Sequence, residues 1–432
     1  MSPSPNDVLK NIFGLSEFRD QQAEIIRTVT SGKNTLVLMP TGGGKSLCYQ
    51  IPALCRRGMT LVISPLIALM QDQVGNLRKL GVSASYLNSS LPQMTRNHLL
   101  EDIRQRQVKL LYLSPERLVQ PAFIHLLDHL DRTGDLSLFA VDEAHCIAEW
   151  GHDFRPEYRQ LGNLFTRFPH VPRLALTATA DHRTRHEILE QLHMVDARVF
   201  VRSFDRKNLH YCVTKKTDAL SQIQHFILKR HEGESGIIYC QSRRDVEILN
   251  SAFQEKKWSC LPYHAGMDTR TREQHMHAFL QNQAKIMVAT VAFGMGVDKK
   301  DIRFVVHHGI PRTLEGYYQE TGRAGRDGRQ AETLLLHHPT DMHRRWHLPD
   351  TSEASLHSQC FINKMKEMEN YCTIRTCRTQ ALMAYFGEAH DGVCHRCDNC
   401  HPEYSLWGGA LSRINSSALA HASSETRGGK KR

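Results

Sequence analysis

A glycine-rich turn set between an apolar run and a helix-compatible stretch constrains the fold of this chain more than any other feature. The apolar run, residues 35–39, is typical of a buried strand and leads into Met39-Pro-Thr-Gly-Gly-Gly-Lys-Ser46. Glycines in such a turn let several backbone N–H groups point at one phosphate. Three glycines also make an ordinary flexible turn, and Met39 stands where the phosphate-loop pattern has Gly. We predict the phosphate loop, because strand, turn and helix follow in the required order.

The residues of this loop have separate predicted tasks. Lys45 reaches the terminal phosphates of a nucleotide, and the Ser46 hydroxyl holds Mg²⁺. The predicted nucleotide-binding residues of the loop are Thr41, Gly42, Gly43, Gly44, Lys45 and Ser46.

Two adjacent carboxylates follow a second apolar run, residues 136–141, in the segment Asp142-Glu-Ala-His145. One carboxylate can organise a metal ion while the other activates a water molecule. Together with the phosphate loop, this pair predicts hydrolysis of a nucleoside triphosphate.

Short apolar runs alternate with helical stretches along most of the chain. The predicted strands are residues 36–39, 60–64, 110–113, 138–141, 174–177, 236–239, 285–289, 304–307 and 332–336. This alternation predicts an α/β fold with mostly parallel sheets, whose active ends are the loops after the strands. Lys45, Asp142-Glu143 and Thr177-Ala-Thr179 each follow a predicted strand. The second half repeats the layout without a lysine-bearing glycine loop, so we expect a second sheet domain that begins near residues 203–208.

The composition limits the classes of protein to consider. The formal net charge is +10, from 55 Lys and Arg against 45 Asp and Glu, which favours a polyanionic partner. No stretch approaches the roughly 20 apolar residues of a membrane span, and the N-terminus does not have the pattern of a signal peptide. We therefore expect an intracellular protein, in which 12 cysteines indicate reduced thiols or metal binding.

Two arginines lie in Tyr317-Tyr-Gln-Glu-Thr-Gly-Arg-Ala-Gly-Arg-Asp-Gly328. Arg323 and Arg326 are three residues apart, the spacing of one helical face. An arginine brought to a γ-phosphate stabilises the charge of the transition state. The alternative is a surface pair that binds a carboxylate, and the intact phosphate loop favours the catalytic interpretation.

Four cysteines near the end, Cys377, Cys394, Cys397 and Cys400, have the spacing C-x₁₆-C-x₂-C-x₂-C. Thiolates two residues apart can share one tetrahedral ion, so the spacing predicts a closed structural zinc site without a catalytic role. An iron–sulfur cluster or free reduced thiols are the alternatives. We expect Cys360 and Cys372 to pack rather than to bind metal.

The order of these motifs resembles that of superfamily-2 helicases and, more closely, the RecQ family of DNA helicases. The resemblance extends from about residue 9 to residue 400. Its most specific segments are Pro40-Thr-Gly-Gly-Gly-Lys-Ser-Leu-Cys-Tyr-Gln50, Ser64-Pro-Leu-Ile-Ala-Leu-Met-Gln-Asp-Gln73, Asp142-Glu-Ala-His-Cys-Ile-Ala-Glu-Trp-Gly-His-Asp-Phe-Arg-Pro-Glu-Tyr158 and Phe293-Gly-Met-Gly-Val-Asp-Lys299. It implies two RecA-like lobes, residues 1–205 and 206–338, and a helical zinc-binding domain, residues 339–402. The Ser-, Ala- and Gly-rich composition of the end of the chain, with its basic last residues, separately predicts a disordered basic tail, residues 403–432.

The resemblance also implies roles for residues. Glu143 is the base that activates water, Asp142 holds Mg²⁺ with Ser46, and Arg326 is the arginine finger. The other implied nucleotide-site residues are Arg323, Gln319, Gly296 and Asp298, with Arg19 and Gln22 as adenine contacts. Many family members have an aromatic residue for adenine stacking where this chain has Leu15, so we expect Arg19 and Gln22 to carry more of the adenine selection.

The segment after the carboxylate pair resembles the aromatic-rich loop that couples DNA binding to hydrolysis in RecQ enzymes. Trp150 and Phe154 offer faces on which bases can stack, and Arg155 adds a phosphate or cation–π contact. His152 completes the implied DNA-coupling set. The alternative, that Trp150 and Phe154 are core residues, is disfavoured by their polar, Gly- and Pro-bearing surroundings.

The function implied by the resemblance is an ATP-dependent DNA helicase that moves 3′ to 5′ and acts in recombination or repair. Its cofactors are ATP, Mg²⁺ and Zn²⁺. Its partners are single-stranded DNA, tailed or forked duplexes and DNA-repair proteins, and we expect a monomer in the bacterial cytoplasm or the eukaryotic nucleus.

Other functions remain open at this point. The chain ends about thirty residues after Cys400, where many family members continue into a winged helix, so an ATPase that translocates or anneals strands but unwinds weakly is the alternative. An RNA helicase shares the Asp-Glu-Ala-His run but is disfavoured by the Trp150 loop and the four cysteines. A non-enzymatic DNA-binding scaffold is disfavoured because Lys45, Asp142, Glu143, Gln319 and Arg326 are all present.

Overall fold

The structure is a computed structural model that describes residues 3–65, 67–88, 91–148, 156–294, 297, 299–343 and 356–406. The chain forms two compact units, Met1–Phe204 together with Met295–Val297, and Asp205–Gly294 together with Asp298–Arg432. We refer to them as the N-terminal and the C-terminal unit.

The N-terminal unit is built on a seven-stranded sheet in which every described pairing is parallel. Its strands are β1 (Thr35–Leu38), β2 (Met59–Ile63), β3 (Ala84–Leu87), β4 (Leu110–Leu113), β5 (Leu136–Val141), β6 (Arg173–Thr177) and β7 (Arg198–Val201). The spatial order is β3-β4-β2-β5-β6-β1-β7, so β6 lies between β1 and β5. The loops after β1 and β5 therefore open at the same edge of the sheet.

Nine described helices belong to this unit. They are α1 (Pro5–Asn11), α2 (Gln22–Thr30), α3 (Leu47–Cys55), α4 (Ile67–Lys79), α5 (Gln93–Arg104), α6 (Pro115–Leu118), α7 (Pro121–Arg132), α8 (Pro156–Phe165) and α9 (His182–Gln191). A 3₁₀ helix, Ala144–Ile147, follows β5. Every residue of β1, β2, β4, β5 and β6 is buried, as expected for central parallel strands with both faces covered.

The C-terminal unit contains a six-stranded sheet whose described pairings are also all parallel. Its strands are β8 (Leu209–Lys215), β9 (Ser235–Tyr239), β10 (Cys260–Tyr263), β11 (Ile286–Ala289), β12 (Ile302–His307) and β13 (Ala331–His337), in the spatial order β10-β11-β9-β12-β13-β8. The helices between its strands are α10 (Ala219–Arg230), α11 (Arg243–Glu255), α12 (Thr269–Leu280) and α13 (Leu314–Thr321).

The chain after β13 is helical, as predicted. It contains α14 (Thr340–His343), α15 (Leu356–Thr373), α16 (Arg378–Tyr385) and a short 3₁₀ helix, Pro402–Tyr404. Its cysteine-bearing part lies against β8: Tyr211 and Cys397 form a parallel bridge, and the Asp398 N–H donates to the Tyr211 carbonyl at 3.0 Å. This contact covers an edge strand whose backbone groups would otherwise lack partners.

The predicted fold class, two parallel-sheet lobes followed by a small, mainly helical domain with the four cysteines, is confirmed. Within the described part of the chain, no helix has the length and apolar character that crossing a membrane requires.

Candidate active site and metal centre

The predicted phosphate loop connects β1 to α3. Gly42 and Gly44 have φ angles of 79° and 84°, in the left-handed region that favours glycine. A Cβ atom on Gly43 would lie 2.5 Å from the Met39 Cγ atom, so glycine is required there by packing. Met39 itself is buried, and its side chain fills the space beneath Gly43. The departure from the usual first glycine is therefore accommodated in the core.

Lys45 has the most unusual charge environment in the loop. Its Nζ atom is buried and has no hydrogen-bond partner among the described residues. An ammonium group without compensation in such a place is costly, and an anionic ligand would offset that cost. Ser46 immediately precedes α3 and is the N-cap residue of that helix. Both positions suit the predicted phosphate and Mg²⁺ roles.

The carboxylate pair lies at the end of β5. Glu143 has left-handed backbone angles (φ 48°, ψ 45°), and its N–H donates to Asp142 Oδ1 at 3.0 Å. Burial and the charge of Glu143 raise the pKa of Asp142 to about 7, although the charge of Lys45 acts in the opposite direction. Asp142 therefore interacts electrostatically with both Glu143 and Lys45, and the fold brings these three predicted site residues together.

His145 connects the carboxylate pair to β6. Its Nδ1 atom lies 2.9 Å from Thr177 Oγ1 and 3.4 Å from Glu143 Oε2. The Thr177 hydroxyl donates to the Thr179 carbonyl at 3.0 Å. This arrangement fixes the imidazole beside Glu143. The sequence analysis gave His145 no role, although its place in the Asp-Glu-Ala-His run was a usable signal.

The Gln22 side chain forms hydrogen bonds with the backbone of the phosphate loop. Its Nε2 atom donates to the carbonyls of Gly43 and Gly44, each at 3.2 Å, and its Oε1 accepts from the Arg19 N–H at 2.9 Å. Gln22 is 2% exposed, whereas the side chains of Arg19 and Leu15 are exposed. The structure thus gives Gln22 a loop-supporting role that the sequence analysis did not include.

Arg323 and Arg326 lie in a turn, which corrects the prediction that they share a helical face. Helix α13 ends at Thr321, and Gly325 has a φ of 59°. After Thr321 the chain tightens into a turn, in which the Ala324 N–H donates to the Thr321 carbonyl at 3.0 Å, and the left-handed Gly325 then redirects it. Arg323 is buried, and a Cβ atom on Gly294 would lie 2.7 Å from its Nη2 atom. Gln319 is half-buried in the last turn of α13.

The four predicted metal-binding cysteines form a cluster. The sulfur atoms of Cys377, Cys394, Cys397 and Cys400 all lie within 4.8 Å of one another. Backbone N–H groups of Arg378, Gln380 and Arg396 each donate to one of the sulfurs at 3.4 Å. A hydrogen bond from Cys397 lowers the pKa of the Cys394 thiol. Four converging thiols with N–H donors suit a tetrahedral ion held by four thiolates. Cys372 is buried outside the cluster, as predicted.

Several predicted residues lie outside the described residues. They are Trp150, His152, Phe154, Arg155, Gly296 and Asp298. The side chain of Cys360 and most of the predicted tail are also outside them.

Comparison with solved structures supports the fold. The helicase MrfA bound to DNA and AMPPNP matches with a TM-score of 0.64 at 19% identity, covering 88% of this chain and 56% of that one. Dbp5 of S. cerevisiae bound to RNA and ADP BeF3 matches with a TM-score of 0.59 at 14% identity, covering 78% of this chain and 88% of that one. At these identities the likeness concerns the fold alone.

Comparison with protein sequences is more specific. The chain is 46% identical over 394 residues to the ATP-dependent DNA helicase RecQ of Pasteurella multocida, covering 91% of this chain and 62% of that protein. It is 40% identical over 395 residues to the ATP-dependent DNA helicase RecQ of Bacillus subtilis, covering 91% of this chain and 66% of that protein. The chain thus spans less than two thirds of the length of either relative.

Three families match consecutive parts of the chain. Residues 19–188 match the DEAD/DEAH box helicases, residues 215–328 match the helicase conserved C-terminal domain, and residues 339–401 match the RecQ zinc-binding family. The third match contains all four clustered cysteines and favours zinc over an iron–sulfur cluster. On these matches and the identities to its relatives, the chain belongs to the RecQ family of helicases.

Proposed function

We propose that this protein is an ATP-dependent DNA helicase that moves 3′ to 5′ along single-stranded DNA and unwinds duplexes. The observation that carries the proposal is the buried Lys45 ammonium at the glycine loop, which has no hydrogen-bond partner among the described residues and interacts electrostatically with Asp142. A buried cation beside a carboxylate pair suits a site that receives the phosphates of ATP together with a metal ion.

The N-terminal unit binds ATP and activates water in this proposal. The loop residues 41–46 hold the phosphates, and Gln22 keeps the loop carbonyls in place, with Arg19 and Gln22 selecting adenine. Ser46 and Asp142 would hold Mg²⁺, which supplies charge neutralisation at the phosphates. Glu143 takes the proton of the attacking water, and His145 orients Glu143 through the contact at 3.4 Å.

In this proposal, the C-terminal unit supplies the positive charge that stabilises the transition state. We assign Arg326 as the arginine that stabilises the γ-phosphate in the transition state, with Arg323 and Gln319 as its supporting residues. Gly296 and Asp298 are assigned to nucleotide sensing. The four cysteines would hold a zinc ion whose role is structural, because four thiolates leave no open position for water.

DNA is the proposed substrate, since the relatives at 40–46% identity are named ATP-dependent DNA helicases. Trp150, His152, Phe154 and Arg155 are assigned to coupling DNA binding to hydrolysis. We further propose that the domains are residues 1–205, 206–338 and 339–402, followed by a basic tail at 403–432. We also propose that the protein acts as a monomer where cellular DNA is located, with DNA-repair proteins as partners. The net charge of +10 supports a polyanionic partner.

The test is strand displacement on a duplex with a 3′ single-stranded tail, in the presence of ATP and Mg²⁺. A 5′-tailed duplex controls for direction, and Lys45→Ala controls for ATP dependence. We expect displacement of the 3′-tailed duplex by the wild-type protein and none by Lys45→Ala.

ATP hydrolysis is measured on the same samples with single-stranded DNA, with RNA or without nucleic acid. Hydrolysis that DNA stimulates without displacement would replace the helicase by a translocating or annealing ATPase. Stronger stimulation by RNA than by DNA would contradict the proposed substrate.

A further inference from the structure

The turn that contains Arg323 and Arg326 is held by one side chain from the start of the C-terminal unit. The Arg206 guanidinium donates to the carbonyls of Gly322, Ala324 and Gly325, at 3.2, 3.1 and 3.2 Å. These carbonyls lie beyond the end of α13, where backbone groups are bonded outside the regular helical pattern. Because a guanidinium is a rigid, planar set of donors, three such bonds fix the orientation of the turn as well as its position.

Asn208 strengthens the same contact. Its Nδ2 atom donates to Gly325 O at 2.9 Å and to Arg329 O at 2.7 Å, on either side of Arg326. A Cβ atom on Gly325 would lie 2.4 Å from that Nδ2 atom, so the close approach requires the glycine. The backbone on both sides of Arg326 is therefore tied to residues 206–208.

The residue before Arg206 is tied to the cysteine cluster. Asp205 forms an ion pair with Arg396, and the two side chains are only 12% and 16% exposed. Arg396 lies between Cys394 and Cys397, and its backbone N–H donates to the Cys394 sulfur at 3.4 Å. The segment Asp205-Arg206 thus contacts the cysteine centre with one residue and the arginine turn with the next.

A second route joins the same two regions. The Asp398 carboxylate accepts from the Val213 N–H at 2.8 Å, and the Asp398 N–H donates to the Tyr211 carbonyl at 3.0 Å. The Tyr211 side chain is buried and its hydroxyl bonds with Thr321, the last residue of α13. Both ends of the arginine turn are therefore connected to the cysteine-bearing segment.

We propose that Arg206 is a positioning residue for Arg323 and Arg326, and that the Asp205–Arg396 ion pair makes its position depend on the zinc-binding domain. This inference rests on the proposed catalytic role of the two arginines. According to this proposal, the four-cysteine cluster affects the rate of ATP hydrolysis through the Asp205–Arg396 ion pair, in addition to its contribution to folding. Arg206 contacts the backbone of the turn through these three hydrogen bonds, so its proposed effect on the reaction passes through Arg323 and Arg326.

The test is a double-mutant cycle of Asp205→Asn, Arg396→Gln and the double variant, together with Arg206→Lys. The kcat and KM for ATP are measured with saturating single-stranded DNA, and zinc content and Tm are measured on the same preparations. We expect each single change to lower kcat about tenfold, with KM for ATP and zinc content unchanged. The double variant should be no slower than either single variant, because both remove the same ion pair.

Arg230→Gln is the matched control. Arg230 also pairs with a carboxylate, Glu332 at 2.8 Å, and donates to the carbonyls of Glu403 and Ser405 at 2.7 and 3.0 Å. These contacts join α10 to residues 403–405, just after the zinc-binding domain, and they involve no residue of the arginine turn. We expect Arg230→Gln to leave kcat unchanged.

The inference is overturned if kcat is unchanged in the Asp205 and Arg396 variants, if their effects multiply in the double variant, or if Arg230→Gln lowers kcat equally. It is also overturned if the slower variants have lost zinc in proportion to activity, which would indicate a structural role alone. Failure of the proposed function looks different, since Arg326→Ala would then hydrolyse ATP at the wild-type rate. If Arg326→Ala is inactive while the ion-pair variants are fully active, the inference alone fails.

Discussion

In each unit a lysine follows the first strand of the sheet, and the two lysines differ in the hydrogen-bond partners of their ammonium groups. In the N-terminal unit, the Lys45 ammonium after β1 is buried without a hydrogen-bond partner among the described residues. In the C-terminal unit, Lys216 directly after β8 donates to Asp341 at 2.9 Å and to the His308 carbonyl at 3.2 Å. The same architecture thus leaves one lysine ammonium without a hydrogen-bond partner among the described residues and pairs the other with a carboxylate.

The contrast extends to the acidic groups. In the N-terminal unit, burial of Asp142 and repulsion from the adjacent Glu143 raise the pKa of Asp142 to about 7. In the C-terminal unit, the buried Glu315 carboxylate is paired with Lys364. A buried charge without a hydrogen-bond partner is unfavourable for folding, and an anionic ligand would offset that cost at Lys45. The comparison indicates that two sheets of the same architecture can differ in how their lysines and carboxylates are paired, and we expect the ligand site at the less paired lysine.

The largest effect should come from the C-terminal unit, if its arginine turn completes the charge of the N-terminal site. We expect Arg326→Ala to lower kcat for ATP hydrolysis by about 10³–10⁵-fold, because an arginine on the γ-phosphate acts mainly in the transition state. Arg329→Ala, three residues further along, is the control, since that side chain is exposed. Steady-state hydrolysis with single-stranded DNA measures both. A loss below tenfold for Arg326→Ala would mean that the two units do not share the chemistry.

The next effect concerns the carboxylate pair of the N-terminal unit. We expect Glu143→Gln to lower kcat by about 10²–10⁴-fold while ATP binding is retained, because the amide keeps the shape but cannot take a proton. Binding of a fluorescent ATP analogue and hydrolysis are measured together. Glu101→Gln, at an exposed position of α5, controls for the loss of one charge. Wild-type turnover in Glu143→Gln would remove Glu143 as the base.

The strands show what the sequence could reveal about the fold. All nine predicted strands exist, with ends shifted by up to two residues. The four strands that the sequence analysis missed are β3, β7, β8 and β10, and these are the four edge strands of the two sheets. Central parallel strands are continuous apolar runs, whereas edge strands need only one covered side. In β7 three of four residues are exposed, and β10 contains Pro262, which an edge strand tolerates.

Whether a residue of the candidate site could be predicted from the sequence also depended on how local its contacts are. Lys45, Ser46, Asp142 and Glu143 could be proposed from the sequence because each belongs to a contiguous motif. Other contacts at the site join residues that are far apart in the sequence. His145 and Thr177 are 32 positions apart, and Arg206 is more than a hundred positions from the arginine turn that it contacts. Such contacts depend on which strands become neighbours, so no local pattern contains them. The helical-face prediction for Arg323 and Arg326 was wrong because a three-residue spacing also occurs in turns.

A smaller effect should come from the support beneath the phosphate loop. We expect Gln22→Ala to raise KM for ATP about tenfold, because the carbonyls of Gly43 and Gly44 lose the donor that both share. The kcat should change little, since the side chain contacts the loop rather than the reacting atoms. Gln21→Ala is the control, as that neighbouring side chain is exposed and makes no capping hydrogen bond. An unchanged KM would show that the loop keeps its shape without Gln22.

The smallest effect is on stability, and its sign depends on the uncompensated charge of the N-terminal unit. Burial and Glu143 raise the pKa of Asp142 from 3.8 to about 7, so the folded protein holds a proton that the unfolded chain releases. Stability from this group is complete below about pH 4 and is lost as the pH rises towards 7. Asp142→Asn removes that loss. Its Tm, measured without nucleotide or metal, should exceed that of the wild type by a few degrees at pH 8 and by less at pH 5.

Asp102→Asn, an exposed carboxylate on α5, controls for a change of one surface charge. A Tm gain for Asp142→Asn that is independent of pH would mean that the shape of the amide, rather than the buried charge, causes it. A loss of stability at pH 8 would mean that attraction between Asp142 and Lys45 outweighs burial and the repulsion from Glu143. In that case the two sheets would differ less than proposed, because the Lys45 charge would already be compensated in the absence of a ligand.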